Sequence, residues 1–426
     1  MAFLSHEIAP NHAKTGPMIR HQVYFDTLGS MREDSASWRS VFAGLSVLRL
    51  IDSYAETGPS IDPVNWAHLH SVRAAIEAVS EGDPVRTVLT NVLEEATKRA
   101  AIDETVSASL LAYGRALDYE ASWGLATDVF STVAKLARPE KNAKFAVEAH
   151  IAVGGAARLN GDWEVSARAY SQAAYIADTM GDRQGVLTVQ VGIANTYFAR
   201  GNFPQAKSIL DDVIVQARTS GFGEVEGMAL HSSSAIAHLK GEKAEAIKLA
   251  YEALALTKRP SERDRVLADL GAEFSEIGMR DAARDAHLVL TATAQTQWVR
   301  WQATVNLLEL AGQDEMEEAF DAYAAELRKA PLGPMLTSYF LLFLGEGLER
   351  FGRFEAAEQA LTEAVDYATA NQLFAVSFKA EQALVGVRSR RSVRRTTVPT
   401  FDQLPQEVLA AAHAISELRK AAMATV

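Results

Sequence analysis

Two histidines seven residues apart come closest to a chemical site in this sequence. His231 and His238 would share one face of a helix, where a pair of imidazoles can bind a metal ion. The same helix offers no carboxylate and no third histidine at ligand spacing. We therefore interpret both histidines as polar surface positions and expect no metal site.

Motifs that serve catalysis are absent from the sequence. Gly221, Phe222 and Gly223, followed by Gly227, lack the spacing of a dinucleotide loop and follow no strand pattern, so they predict a turn between repeats. The sequence has neither a Gly-Lys-Ser/Thr loop nor a His-Glu-x-x-His segment, and it contains no cysteine. Thiolate metal sites and cysteine nucleophiles are excluded. We expect a protein that is not an enzyme and needs no cofactor.

The overall charge argues against a nucleic-acid partner. The 426 residues carry a formal net charge of −12, whereas a protein that follows a polyanion presents a basic surface. The longest apolar run, residues 335–344, has half of the roughly 20 residues that a membrane span needs. The first ten residues lack the basic region of a secretory signal. We expect a cytoplasmic protein without a membrane span.

A basic segment interrupts this acidic sequence. Residues 388–395 contain five arginines, which are Arg388, Arg390, Arg391, Arg394 and Arg395. Three interpretations remain open: a solvated linker or a segment paired with the protein's own acidic surface, a docking segment for an acidic partner, and a nucleic-acid contact. The segment is too short to be a DNA-binding module, and no helix-turn-helix or zinc-finger pattern accompanies it.

A repeat of about 40 residues organises most of the chain. An apolar helical segment with a small residue leads to each turn, and an aromatic residue followed by small and bulky residues comes after it. The predicted turns are at Ala121, Gly161, Gly201, Gly241, Gly278, Gly312 and Gly352. Glycine suits such turns because it adopts positive φ without a steric penalty. The pattern predicts antiparallel pairs of amphipathic helices whose small residues allow close approach.

This pattern resembles the tetratricopeptide repeat (TPR) family over residues 102–390. In one repeat the likeness is carried by Gly154, Gly161, Trp163 and Tyr170. The family repeat has about 34 residues, so the longer spacing implies longer helices, as in the sensor domains of some bacterial transcription activators, in quorum-peptide receptors and in kinesin-light-chain-like adaptors. The resemblance implies an all-α fold, a right-handed α-solenoid of antiparallel helix pairs with helical caps at both ends.

The resemblance also implies where a partner would bind. In the family, the first helix of each pair lines a concave groove that holds an extended peptide or a partner helix. By position, the groove of this chain would be lined by Arg115, Asp118, Glu148, Arg158, Thr188, Asn195, His231, His238, Arg265, Ser275, Glu346 and Glu349. Asn195 stands where peptide-binding members place an asparagine that contacts the ligand backbone, although the basic residues that hold a terminal carboxylate are not reproduced around it. The alternative is that all of these are ordinary solvated positions.

The remaining segments predict a tail, caps and a core pair. We expect a mobile tail over residues 1–15 and an N-terminal cap or degenerate repeats over residues 16–100. The repeat array follows over residues 101–390, and a basic linker with a capping helix over residues 391–426. Residues 37–54 predict an amphipathic helix, and residues 405–422 predict a last helix that covers the final repeat. Trp298 and Trp301, three residues apart, are expected in the core between repeats.

Two functional hypotheses follow from this organisation. The first is a scaffold that binds a partner protein or peptide along its concave groove. The second is a regulator whose superhelix changes pitch when a small molecule or signalling peptide binds. In the second hypothesis the helix of residues 37–54 would be the output surface or the contact of a homodimer.

Overall fold

The computed structural model describes residues 19–33, 35–57, 63–98, 102–371, 373–389 and 404–424. All regular secondary structure in these ranges is α-helical, so the predicted all-α class is confirmed. The predicted tail and the arginines from Arg390 to Arg395 lie outside the described residues. None of the described helices is both long and apolar enough to cross a membrane.

The chain divides into two compact units, Ala2–Ile209 and Leu210–Val426, which we call the N-terminal and C-terminal units. The N-terminal unit contains α1 (Gln22–Ser30), α2 (Ala36–Thr57), α3 (Pro63–Glu77), α4 (Pro84–Lys98), α5 (Glu104–Tyr119), α6 (Trp123–Leu136), α7 (Ala143–Leu159), α8 (Trp163–Thr179) and α9 (Arg183–Ala199). The boundary falls inside α10 (Phe203–Ser220). The C-terminal unit continues with α11 (Gly223–Leu239), α12 (Lys243–Leu256), α13 (Pro260–Glu276), α14 (Arg280–Thr293), α15 (Gln297–Gln313), α16 (Glu317–Leu327), α17 (Pro334–Arg350), α18 (Phe354–Ala370), α19 (Phe374–Arg388) and α20 (Gln406–Met423).

From α1 to α9 in the N-terminal unit and from α11 to α19 in the C-terminal unit, helices that follow one another in the chain pack together. This nearest-neighbour packing is the architecture of an α-solenoid, as predicted. We call the odd-numbered helices from α5 to α19 the first helices and the even-numbered helices from α6 to α18 the second helices. The handedness and the division at residues 100 and 390 stay predictions.

Left-handed residues end the helices at regular intervals. Positive φ is found at the predicted turns Ala121, Gly161, Gly201, Gly241, Gly278 and Gly352. It also occurs at Gly181 and Gly221, so the turns from 161 to 241 follow one another every 20 residues. The turn predicted at Gly221 is therefore confirmed, and the 40-residue repeat consists of two helices of nearly equal length.

The turn predicted at Gly312 is wrong. Helix α15 continues to Gln313, and Glu315 takes the left-handed position with a φ of 58°. Gly312 is buried, and a Cβ added to it would lie 3.2 Å from the Cα atom of Gly347. The absence of a side chain at Gly312 therefore allows α15 and α17 to approach closely. The turn itself lies three residues later, at Glu315.

The N-terminal helices are held by a buried polar contact. The Nδ1 atom of His21 lies 2.5 Å from Asp128 Oδ2 on α6, and its Nε2 atom lies 3.3 Å from Asp52 Oδ2 on α2. Burial lowers the pKa of His21, but the hydrogen bond and charge of Asp128, together with Asp52, raise it above its ordinary value. The imidazole therefore ties the start of α1 to both helices.

The helix predicted over residues 37–54 is confirmed as α2. Its buried stripe includes Val41, Leu45, Leu48 and Ile51, whereas Phe42 is exposed. The Trp38 and Phe42 rings stack with 4.9 Å between their centroids. These two aromatic side chains therefore lie at the edge of the buried stripe.

The last helix was predicted to cover the final repeat, and this prediction is wrong. Helix α20 packs against α14 and α12. Its stripe of Val408, Ala411 and Ile415 is fully buried in the core that these helices form. An amphipathic stripe requires a cover but does not specify which helices provide it.

Two further predictions can be compared with the structure. Trp301 is 7% exposed, and the partly buried Trp298 packs against the core that contains Val299 and Ala303, so both tryptophans pack in the interior as predicted. Arg388, at the end of α19, pairs with Glu358 of α18 with 2.8 Å between Nε and Oε1. This one arginine of the basic segment therefore pairs with an acidic residue of the protein itself.

Candidate partner-binding surface of the first helices

One position of the repeat recurs on the surface of every first helix from α5 to α17. It lies six residues before the left-handed turn residue, and we call these residues the column. The column contains Arg115, Gly155 and Asn195 in the N-terminal unit, and Ala235, Ala272, Glu309 and Glu346 in the C-terminal unit. Every member is partly or fully exposed. Within each unit a partner lying on the first helices would meet this position.

In the N-terminal unit, two of the predicted groove residues meet. Arg115 on α5 forms an ion pair with Glu148 on α7. Arg158 lies beside the Tyr170 hydroxyl and lowers the pKa of that phenol, although burial has the larger effect and raises it. Thr188 donates a hydrogen bond to the Gln184 carbonyl of its own helix, with 2.9 Å between the oxygens. Asn195, on α9, is partly exposed.

In the C-terminal unit, both predicted histidines pair with carboxylates of the next first helix. His231 Nε2 lies 2.7 Å from Asp269 Oδ2, and His238 Nδ1 contacts Glu273. Lys243 joins the second pair, with its ammonium against Glu276 and 2.9 Å from His238 Nδ1. These contacts connect α11, α12 and α13 through side chains. The groove positions near these histidines therefore also hold consecutive repeats together.

The cluster of His238, Glu273 and Glu276 has the composition of a metal site. The ligand atoms of the three side chains lie within 4.8 Å of one another. The ammonium of Lys243 supplies the positive charge at this cluster, because it contacts Glu276 and approaches Glu273 to 3.9 Å. We therefore interpret the cluster as a structural ion-pair network. Both carboxylates lie on α13, so the sequence of α11, which carries the histidines, does not reveal them.

Arg265, another of the predicted groove residues, lies on the exposed surface of α13. Its Nη1 atom is 3.6 Å from Glu262 Oε2 on the same helix. Exposed pairs three residues apart contribute little to stability. The guanidinium is therefore able to exchange this contact for one with a partner.

A pair of carboxylates forms the most unusual part of the column. Glu309 and Glu346 occupy equivalent positions in consecutive repeats, on α15 and α17, and both are partly buried. We call the surface formed by Glu309, Tyr339 and Glu346 the acidic surface. Gln313 donates a hydrogen bond to Glu309, with 3.0 Å between Nε2 and Oε1. The sequence does not point to Glu309, because a turn at Gly312 would place the column position of α15 three residues earlier.

Burial disfavours the charged form of both carboxyls. It raises the pKa of Glu309 to about 7, and the nearby charge of Glu346 adds to this rise. Burial also raises the pKa of Glu346, against the opposing effects of Arg350 and Lys379. The Tyr339 phenol has a raised pKa, from burial first and from Glu309 second. Ionisation of the acidic surface therefore costs stability.

We expect Glu309→Gln to raise the melting temperature at pH 8 and to change it little at pH 5. A carboxyl with a raised pKa in the folded chain stabilises the fold fully below its unfolded pKa of about 4.3, and the contribution is lost as the pH rises through about 7. Glutamine removes this dependence, which thermal melts from pH 5 to 8 would measure. Glu363→Gln, at an exposed carboxylate of α18, is the control. An identical pH dependence in the Glu309 variant and the unsubstituted protein would contradict the assignment.

Comparison with known proteins gives no family for this chain. No family model matches the sequence, and no curated protein matches it. Among the solved structures that match is one described as a circular tandem repeat protein with novel repeat topology and enhanced subunit contact surfaces. It is 14% identical, with 94% of this chain and 90% of that chain covered and a TM-score of 0.17. Because this TM-score is too low to carry an argument, the assignment as a helical-repeat protein rests on the helices described above.

Proposed function

We propose that this protein is a TPR-like scaffold of the cytoplasm that is not an enzyme and that binds a partner protein through its first helices. The acidic surface of the C-terminal unit supports this best. Two carboxylates at the same repeat position would receive a basic side chain of an extended segment of the partner. The mechanism is recognition by side chains that rigid helices hold at fixed spacing, so little ordering is needed on this side of the complex.

The observation that carries the proposal is the unfavourable burial of Glu309 beside Glu346. Uncharged residues at these two positions would avoid that burial cost, so the carboxylates reduce the stability of the free protein. Residues that lower stability in this way are expected at functional sites. A lysine or arginine from a partner would supply the opposite charge in a partly desolvated setting, where ion pairs are stronger than in water.

An affinity capture with quantitative mass spectrometry tests this proposal. The full chain, a Glu309→Gln/Glu346→Gln variant and a Glu355→Gln/Glu363→Gln control are compared as baits. The control makes the same change in charge at exposed positions of α18. We expect a protein retained by the unsubstituted chain and the control but depleted by the first variant. Its dissociation constant, measured with purified partner, should rise at least tenfold in that variant.

The result also distinguishes the scaffold from the regulator. Equal capture by all three baits would contradict the acidic surface as the binding site. An Arg158→Glu/Asn195→Ala bait then tests the predicted groove residues of the N-terminal unit. If capture fails throughout, a ligand-dependent change in the radius of gyration by solution scattering would support the regulator hypothesis instead. Light scattering on the same samples tests for a homodimer through α2.

A further inference from the structure

Helix α20 shows how a helix is held between two second helices of this protein. It packs on α14 and α12, and its Val408, Ala411 and Ile415 side chains are fully buried. Ala282, Ala286 and Val289 share a face of α14 with Asp285 by their helical spacing, and they belong to the same buried core as the α20 stripe. Asp285 Oδ1 lies 2.8 Å from Arg419 Nε of α20. We call this surface of α12 and α14 the α20 seat. It combines small apolar residues with one charged residue, Asp285, that pairs with α20.

By repeat position, α8 of the N-terminal unit has a face equivalent to this face of α14. Counted from the turn residues Gly278 and Gly161, the α14 positions correspond in order to Val165, Arg168, Ala169 and Gln172. Gln172 is exposed, whereas Val289 at the equivalent position is 6% exposed. The face of α8 is therefore more open than that of α14 at Gln172 and at the partly exposed Val165, whereas Ala169 is buried.

A cleft of about 650 Å³ opens beside this face of α8. Its walls are α6 and α8, and His150 and Val153 of α7 lie between them. Both second helices pack on α7, as α12 and α14 pack on α13. The cleft has an apolar lining that includes Val153, Val165 and Ala169. It is thus equivalent in position to the surface that α20 occupies.

The two places differ in charge. Arg168 stands where the α20 seat has Asp285, and Lys135 on α6 stands where α12 has Ala255. Arg168 pairs with Glu164 one turn earlier, with 2.8 Å between Nη1 and Oε1, and both side chains are exposed. Such pairs are weak and exchange readily. Burial lowers the pKa of His150, which favours its neutral form between the walls.

We propose that the α6–α8 cleft binds an amphipathic helix of a partner protein, one with a small aliphatic stripe and a carboxylate opposite Arg168. The α20 helix of a second copy does not fit, because its Arg419 would face Arg168. This surface lies on the second helices of the N-terminal unit and is independent of the acidic surface in the C-terminal unit. The protein would accordingly have two binding surfaces of opposite charge preference.

A peptide derived from the protein itself provides the probe. It comprises residues 405–423 with Arg419→Glu, so that a carboxylate replaces the guanidinium that meets Asp285 in the chain's own seat. We expect calorimetric titration into the full chain to show saturable binding. Arg168→Glu in the protein should weaken binding at least tenfold, and the unaltered peptide, with Arg419, should then bind this variant better than it binds the unsubstituted protein.

Control variants separate the alternatives. Arg183→Glu makes the same charge change at an exposed residue of α9 and should leave the affinity unchanged. Equal affinity in the Arg168 and Arg183 variants would overturn the proposal, as would binding that depends on Asp285 and not on Arg168. A concentration-dependent dimer that Arg168→Glu disperses would show a second copy in the cleft and would also overturn it. None of these outcomes depends on the acidic surface, which is tested separately.

Discussion

Phe320→Ala is expected to lower the free energy of unfolding of the C-terminal unit by about 3–5 kcal/mol. Phe320, on α16, is fully buried, and its ring lies 5.2 Å from that of Phe351 between centroids. Its edge fills the space left by two glycines, since a Cβ on Gly347 would lie 2.1 Å from Phe320 Cε2. Glycine at Gly312 and Gly347 leaves no side chain that could move into the cavity. Urea unfolding followed by circular dichroism measures the loss.

Phe354→Ala is the matched control for this substitution. Phe354 begins α18 and is 48% exposed, so its removal should cost less than about 1 kcal/mol. Because an array of repeats can unfold in parts, hydrogen exchange of the α15–α17 amides should accompany the denaturation curves. Similar losses in the two variants would show that Phe320 is not the centre of this packing.

Gly154→Ala should destabilise the N-terminal unit by about 1–3 kcal/mol, whereas Gly155→Ala should stabilise it by up to about 1 kcal/mol. A Cβ on Gly154 would lie 2.7 Å from Tyr170 Cζ, inside the van der Waals contact distance. Tyr170 cannot yield, because a Cβ on Gly192 of α9 would lie 2.3 Å from its Cε1 atom. A Cβ on Gly155 would lie 3.9 Å from the Tyr170 hydroxyl oxygen, which is an ordinary van der Waals distance.

The adjacent pair is informative because both substitutions change the helix propensity of α7 equally. Any difference in melting temperature therefore reports the contact with Tyr170. Thermal melts of the two variants beside the unsubstituted protein provide the measurement. Two stabilised variants would mean that α7, α8 and α9 can separate enough to accept a methyl group.

The close approach of these helices could be predicted from the sequence, whereas one turn could not. Small residues such as Gly154 recur at fixed distances from the turns, and the structure confirms that they face bulky residues. At residues 312–315 the glycine and the turn are separated. Glu315 adopts the left-handed conformation that glycine would favour, while Asp314 beside it is held by Arg280 and Arg284. The conformational preference of glycine predicted a turn at Gly312, but packing and ion pairs place the turn at Glu315 instead.

The residues of the candidate surface could be predicted from their positions in the repeat, but the partners of their side chains could not. The sequence indicated that Arg115, His231 and His238 share the surface of the first helices. Their partners, Glu148, Asp269 and Glu273, come from the following repeat at 33, 38 and 35 residues' distance. Irregular repeat lengths prevent such pairs from being aligned by counting alone. The same irregularity hid Glu309, which is found only when the turn is placed at Glu315.

The position of α20 has a consequence for how the protein is made. The face of α14 that receives it leaves the ribosome about 130 residues before Arg419 does, and that of α12 leaves about 170 residues before. At roughly 5–20 residues per second, the nascent chain would expose this apolar strip for on the order of ten seconds. A chain cut short within that interval keeps the strip uncovered. Chaperones and proteases that recognise exposed apolar surface could thereby distinguish an incomplete chain from a finished one.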